Sequence, residues 1–194
     1  LFTEPPLALL MNSAFDEHAA LLEPTRKSCL EPLQRLIEEA TARLSRGGKI
    51  FFFGNGGSAA DAQHFATELT VRFAKDRRAL AGLALTTDAS ALTACGNDRG
   101  FEQIFARQIE ALGNAGDLAL AISTSGTSPN ILAAVRQAKT SGLFTAAFTG
   151  EAGGALRDEV NLLVAVPSRN TARIQEMHVL LGHLLCQEIE ARMA

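Results

Sequence analysis

Apolar residues recur with two different periods along this chain, and the change between them divides it. Up to residue 47 the spacing is helical. Leu9, Leu10, Phe15, Ala19 and Leu22 fall on one stripe of a helix expected over 8–22. Pro24 suits a first helical turn, so a second helix is expected from there to about residue 46, stopped by Gly47 and Gly48. Pro32 is expected to divide it, because an interior proline removes a hydrogen bond and clashes with the preceding turn. From Lys49 onward, short apolar runs at 50–53, 83–85, 117–122, 143–148 and 162–166 read as strands. Helical stretches at 59–73, 89–94, 101–112, 129–141 and 171–193 separate and follow them. Strands that are apolar on both sides and alternate with helices imply a parallel sheet covered on both faces. The expected fold is α/β, a doubly wound three-layer αβα sandwich with a mainly parallel five-stranded sheet and N-terminal helices. Residues 1–47 would form a helical segment packing on the domain or on neighbouring subunits, and 48–194 the domain itself.

Composition narrows the function classes. The 194 residues are 47% apolar and 20% charged, an ordinary globular balance for one domain. A net charge of -3 argues against non-specific nucleic-acid binding, which needs a dense positive footprint. Eleven Phe but no Tyr or Trp supply neither base-stacking platforms nor a membrane belt. Cys29, Cys95 and Cys186 are odd in number and widely spaced, which fits a reducing compartment and a cytoplasmic protein better than a disulfide framework. No apolar run approaches a membrane span, and no signal-peptide pattern is visible.

Ligands in doubly wound folds bind outside the carboxyl ends of the strands. Three loops fall there. Gly54-Asn55-Gly56-Gly57-Ser58 follows the first strand and opens a helix whose N–H groups attract an anion. Ser123-Thr124-Ser125-Gly126-Thr127-Ser128 brings hydroxyls to another helix start and suits a phosphate monoester. The glycines of 149–154 read as a turn. Gly54-x-Gly56-x-x-Ala59 formally fits the dinucleotide fingerprint, but Asp76 lies in a charged turn and Asp88 comes late for a ribose ligand. No Lys follows the glycines, so a Walker loop is excluded. His64 and Glu68 stand i, i+4 on one helix face. They can bind a metal, hold a general base, or be an exposed pair of no consequence. Gln175, His178 and His183 share the last helix, and His18 is expected to be solvated.

These residues together resemble a sugar isomerase (SIS) domain protein. Asn55-Gly56-Gly57-Ser58, Asp61-Ala62-Gln63-His64-Phe65 with Glu68, Asn97-Asp98, Ser123-Thr124-Ser125-Gly126 with Ser128, and Arg173-Ile174-Gln175-Glu176 with His178 and His183 occur in order. Within that family they are most similar to the phosphoheptose isomerases. The resemblance implies conversion of sedoheptulose 7-phosphate to D-glycero-D-manno-heptose 7-phosphate, toward ADP-heptose and the heptose of lipopolysaccharide or capsule. It implies a zinc ion held by His64, Glu68, Gln175 and His183. It also implies substrate contacts from Asn55, Gly56, Gly57, Asn97, Asp98, Ser123, Thr124, Ser125, Ser128 and Gln175, and a homotetramer without nucleic-acid or membrane partners. Ser58 and Glu68 are counted with the substrate contacts. Asp61 either orients a sugar hydroxyl or is simply a charge near a helix start. Glu68 is the expected general base and His183 its acid/base partner. His178 is expected to be structural. Ala172 departs from relatives that carry an acidic residue there.

Gln175 and His183 are eight residues apart, so their Cα atoms lie ~12 Å apart on one helix. They serve one metal more easily from different copies, or if Gln175 precedes the regular helix. An active site completed across a subunit interface is therefore expected. Two other readings remain. A non-catalytic SIS protein that binds the bacterial replication initiator need not keep the metal set, which this chain keeps. Another sugar-phosphate isomerase or a hexose-phosphate regulator is disfavoured, in the regulator's case, by the lack of a recognisable DNA-binding segment.

Overall fold

A computed structural model describes residues 7–194. Its first element is one helix rather than two: α1 (Leu7–Ser45) runs through both Pro24 and Pro32. The break expected at Pro32 does not occur, and packing explains why. Buried Leu21, Thr25, Cys29, Leu33, Leu36, Ala40 and Leu44 recur every three or four residues straight across both prolines. An interior proline costs about 3 kcal/mol. Burying each large aliphatic side chain returns roughly 1.5–3 kcal/mol, so the continuous stripe outweighs the breaks. Pro24 sits on the exposed side, and its carbonyl accepts from Ser28 Oγ at 3.0 Å. The helix ends where expected: Gly47 adopts φ +84°, and Gly48 N–H donates back to Arg43 O at 2.9 Å.

Five strands follow: β1 (Ile50–Gly54), β2 (Gly82–Ala84), β3 (Leu118–Ser123), β4 (Phe144–Thr149) and β5 (Leu162–Ala165). They form one sheet in the order β2-β1-β3-β4-β5, and all four pairings are parallel. The helices between them are α2 (Gly57–Thr70), α3 (Ala89–Arg99), α4 (Ala106–Leu112), α5 (Pro129–Thr140), α6 (Leu156–Glu159) and α7 (Thr171–Met193). The stretch expected as one helix over 101–112 splits into a 3-10 turn (Phe101–Gln103) and α4, and α3 runs five residues past the expected 89–94.

Alternation along each strand builds two cores. Ile50, Phe52, Leu118, Leu120, Ile122, Ala146 and Phe148 face α1, α2 and α7. Phe51, Phe53, Ala119, Ala121 and Ala147 face the side of α4, α5 and α6. This is why β1 and β3 read as unbroken apolar runs: every residue of both is buried. Asp117, expected at the start of a strand, instead lies just before it and ties the starting ends of β1 and β3 together, away from the exit loops. It accepts from Lys49 N, Lys49 Nζ and Asn114 N at 2.7–2.9 Å. The strand order turns back between β1 and β3, so the crevice between their exit loops is the topological switch point.

Candidate active site

α2 starts at the first glycine loop. Gly56, with φ +57° and ψ −121°, makes the turn from β1 into the helix. Four turns of helix then carry His64 and Glu68 toward α7. The two helices approach closely because α7 has a glycine at the crossing, Gly182, where a Cβ would lie 2.1 Å from Phe65 Cζ. On either side of that contact the chemistry converges. His64 Nε2 lies 3.1 Å from Glu68 Oε1 and 3.2 Å from His183 Nε2. One potential ligand atom from each residue falls within 4.8 Å of the others. Two nitrogens and a carboxylate oxygen hold at most one shared proton per contact, and His64 Nε2 faces both partners at once. A divalent cation meets all three lone pairs, so this donor set fits a metal.

The end of α2 is held from outside. Arg77 donates to Glu68 O at 2.7 Å and to Leu69 O at 2.9 Å, satisfying carbonyls of the last turn. Arg77 pairs with Glu190 at 3.3 Å, both side chains buried. Glu190 also accepts from the backbone N–H groups of Phe73, Ala74 and Lys75 at 2.8–2.9 Å. The helix carrying His183 therefore clamps the loop that leaves Glu68.

Gln175 lies in the regular part of α7, which starts at Thr171, so it does not precede the helix. Its amide nitrogen lies 2.7 Å from where a Cβ on Gly57 would be, at the other end of α2 from Glu68. Asp61 is half-buried and its Oδ2 lacks a hydrogen-bond partner. Burial raises its pKa against the pull of His64. Ser58 is buried at the start of α2.

In the second loop Ser123 is buried and its Oγ accepts from Gly126 N–H at 3.2 Å. Thr124 and Ser128 are half-buried and Ser125 is exposed. The third loop supports the second by backbone: Gly150 N–H donates to Thr124 O at 3.0 Å and Leu156 N–H to Gly126 O at 3.1 Å. Asn97 and Asp98 are exposed near the end of α3 and bond to each other at 2.8 Å. A cavity of about 470 Å³ joins Asn55 and Gly56 to Thr93, Gly96 and Phe101, so α3 borders the first loop.

Two histidines lie outside the cluster. His178 is fully buried, its Nε2–H donating to Thr149 O at 3.1 Å, and desolvation lowers its pKa to about 4. His18, expected to be solvated, also meets Glu176 on α7 at 2.6 Å with its side chain 40% exposed. The ring stays partly solvated, and it gains this partner because α1 continues alongside α7. Asn130, not among the expected site residues, faces Asn55.

Comparison with known proteins agrees with this geometry. A family model described as SIS domain matches residues 15–150. The phosphoheptose isomerase of Paramagnetospirillum magneticum is 54% identical over 184 residues, 95% of this chain and 96% of its own. The structure of phosphoheptose isomerase from Neisseria gonorrhoeae superposes with a TM-score of 0.91 at 43% identity, covering 95% of this chain and 99% of that one. A phosphoheptose isomerase from Francisella tularensis gives 0.91 at 40% identity, over 93% and 96%. The chain belongs to the phosphoheptose isomerases of the SIS domain family.

Proposed function

We propose that this chain interconverts sedoheptulose 7-phosphate and D-glycero-D-manno-heptose 7-phosphate by moving a proton between C1 and C2 through an enediol. The observation that carries this reading is the convergence of His64, Glu68 and His183 where α2 meets α7, in a fold whose two anion-suited loops flank the switch point. Glu68 takes the C1 proton of the ketose and returns it to C2. Its Oε1 faces His64, which leaves Oε2 for the substrate. His183 moves the proton between the two oxygens and opens the sugar ring. Ser123, Thr124, Ser125 and Ser128 hold the phosphate, whose binding energy positions the reacting carbons. Asn55, Gly56, Gly57 and Ser58 border the sugar. Asp61, Asn97 and Asp98 orient its hydroxyls.

Zinc is the ion this donor set suits best. His64 Nε2 lies 3.1 Å from Glu68 Oε1 and 3.2 Å from His183 Nε2, so His64, Glu68 and His183 could each offer a lone pair to one such ion. Held there, it would supply polarisation of the substrate's carbonyl oxygen. Gln175 lies two turns from His183, which supports a site in which its amide serves the substrate or metal of another copy. Exposed Leu9, Leu10, Phe15, Leu22 and Leu30 on α1 and Leu180 on α7 offer apolar surface for a homotetramer. Three free cysteines fit a cytoplasmic setting. Among the described residues no helix is long and apolar enough to cross a membrane.

The test is an assay of purified protein with sedoheptulose 7-phosphate, with and without chelator and added zinc. Turnover lost to chelator and restored by zinc is the expected result. No turnover under any condition overturns the reading, and a fully active diluted monomer overturns the shared site.

A further inference from the structure

Asn130 is a buried polar side chain that the proposed reaction does not use. It is the second residue of α5, directly after Pro129, and only 2% exposed. Its carboxamide meets that of Asn55 head to tail. Asn55 Nδ2 donates to Asn130 Oδ1 at 2.9 Å, and Asn130 Nδ2 donates to Asn55 Oδ1 at 2.8 Å. A third bond fixes the orientation: Ile131 N–H donates to Asn130 Oδ1 at 3.1 Å, so that atom must be the oxygen. With Asn130 oriented, Asn55 is oriented too.

The two asparagines belong to different halves of the site. Asn55 lies in the loop after β1, and Asn130 follows the hydroxyl loop after β3. β1 and β3 are neighbours, with Gly54 opposite Ile122. The amide pair therefore bridges the switch-point crevice between the two loops. It also occupies one lone pair of Asn55 Oδ1 and one Nδ2 hydrogen. What remains for a ligand is the second Nδ2 hydrogen, one lone pair of Oδ1 and the backbone of Gly56 and Gly57.

We infer that Asn130 is a positioning residue: through Asn55 it holds the glycine loop and the hydroxyl loop at the separation at which one sugar phosphate engages both. This rests on the substrate proposed above. An amide pair joined through oxygen and nitrogen on both sides has little freedom to reorient, and losing the Asn55 partner leaves the buried Asn130 donor unmet while losing Asn130 frees the half-buried Asn55 to turn. The crevice then loses its fixed width, while each loop keeps its own internal hydrogen bonds.

The test is a double-mutant cycle in the full chain, with steady-state kinetics on sedoheptulose 7-phosphate and competitive inhibition by inorganic phosphate. Asn130→Ala is expected to raise KM about tenfold with kcat within about threefold. Inhibition by inorganic phosphate, which needs only the hydroxyl loop, is expected to change less than twofold. In an Asn55→Ala background, Asn130→Ala is expected to add nothing, since the residue acts through Asn55. An equal further rise in KM in that background overturns the inference, as does a phosphate inhibition constant that rises in step with KM. Asn130→Leu removes both amide hydrogen bonds to Asn55 without adding charge and leaves Ile131 N–H bonded to Ser128 O, so it carries the same test if the alanine variant does not fold. Variants indistinguishable from wild type overturn the inference alone. A wild-type protein that turns over no sedoheptulose 7-phosphate overturns the proposed reaction and takes this coupling with it.

Discussion

Replacing Gly182 by Ala should open the His64–Glu68–His183 cluster without touching any of its residues. The added Cβ would lie 2.1 Å from Phe65 Cζ and 2.2 Å from Cε1. Ordinary contact begins at 3.4 Å, so the helices must separate by about 1.3 Å or the ring must turn. The ring is fully buried and stands edge-on to Phe52 at 6.2 Å, which leaves it little room. Because His64 adjoins Phe65 and His183 adjoins Gly182, most of that separation passes into their 3.2 Å contact. Overpacking of this kind costs about 1–3 kcal/mol. At about 2–4 °C per kcal/mol for a domain of this size, the melting temperature falls by roughly 2–12 °C. Metal affinity should fall about 10–100-fold, as when groups supporting metal ligands are altered. Thermal melts of the chelated protein read the first effect, and zinc competition against a chromophoric chelator reads the second. A Phe65→Leu change made together with Gly182→Ala should recover part of both. Wild-type zinc affinity in Gly182→Ala would refute the argument that this glycine sets the approach of the two helices.

Glu68→Gln should abolish turnover while leaving the melting temperature of the chelated protein within a few degrees; near-normal activity removes Glu68 from the base role. Gly57→Ala meets only the end of the Gln175 side chain at 2.7 Å, so circular dichroism and melts should be unchanged while kcat/KM falls, and unchanged kcat/KM would show that Gln175 has no part in the reaction. His178 has an ordinary pKa of 6.5 that burial lowers to about 4, so the unfolded chain binds more protons between those values. Its contribution is intact above pH 6.5 and declines toward pH 4, by at most about 3 kcal/mol. Urea melts of chelated wild type and His178→Asn should differ in slope across that window, and equal slopes exclude the histidine. Glu190→Ala removes one partner of a buried ion pair and the acceptor of three backbone N–H groups, so urea melts should show a loss of about 3–5 kcal/mol; a loss under 1 kcal/mol contradicts the clamp.

The sheet was legible because both faces of its central strands are covered, which leaves a plain apolar run in the sequence. The last helix was expected over the same 171–193 that it occupies, since nothing in that stretch interrupts the helical period. α1 was misread at Pro32 because local rules count the broken turn but cannot see the stripe that α7 and β5 bury. His64 and Glu68 were visible as an i, i+4 pair. That His183 joins them depends on a contact across 119 residues, which the family resemblance suggested and no local pattern encodes. Asn130 left only a faint signal, a side chain that prefers caps and turns placed just after a helix-starting proline. Its partner lies 75 residues away, beyond the reach of any spacing argument.

The glycines of the third loop leave a different kind of mark. A Cβ on Gly126 would lie 2.0 Å from Gly153 O, and one on Gly154 would lie 2.5 Å from Ser125 O. Main chain rests directly on main chain, with no side chain between the two loops. The hydroxyl loop is thus preorganised, and a phosphate held there as proposed would pay little ordering entropy. The same contact makes the loop hard to remodel, because no neighbouring side chain can be enlarged or trimmed to compensate for a change. α3, on the far border of the crevice, buries none of its residues. Divergence toward a different sugar is open to α3 and closed to the hydroxyl loop.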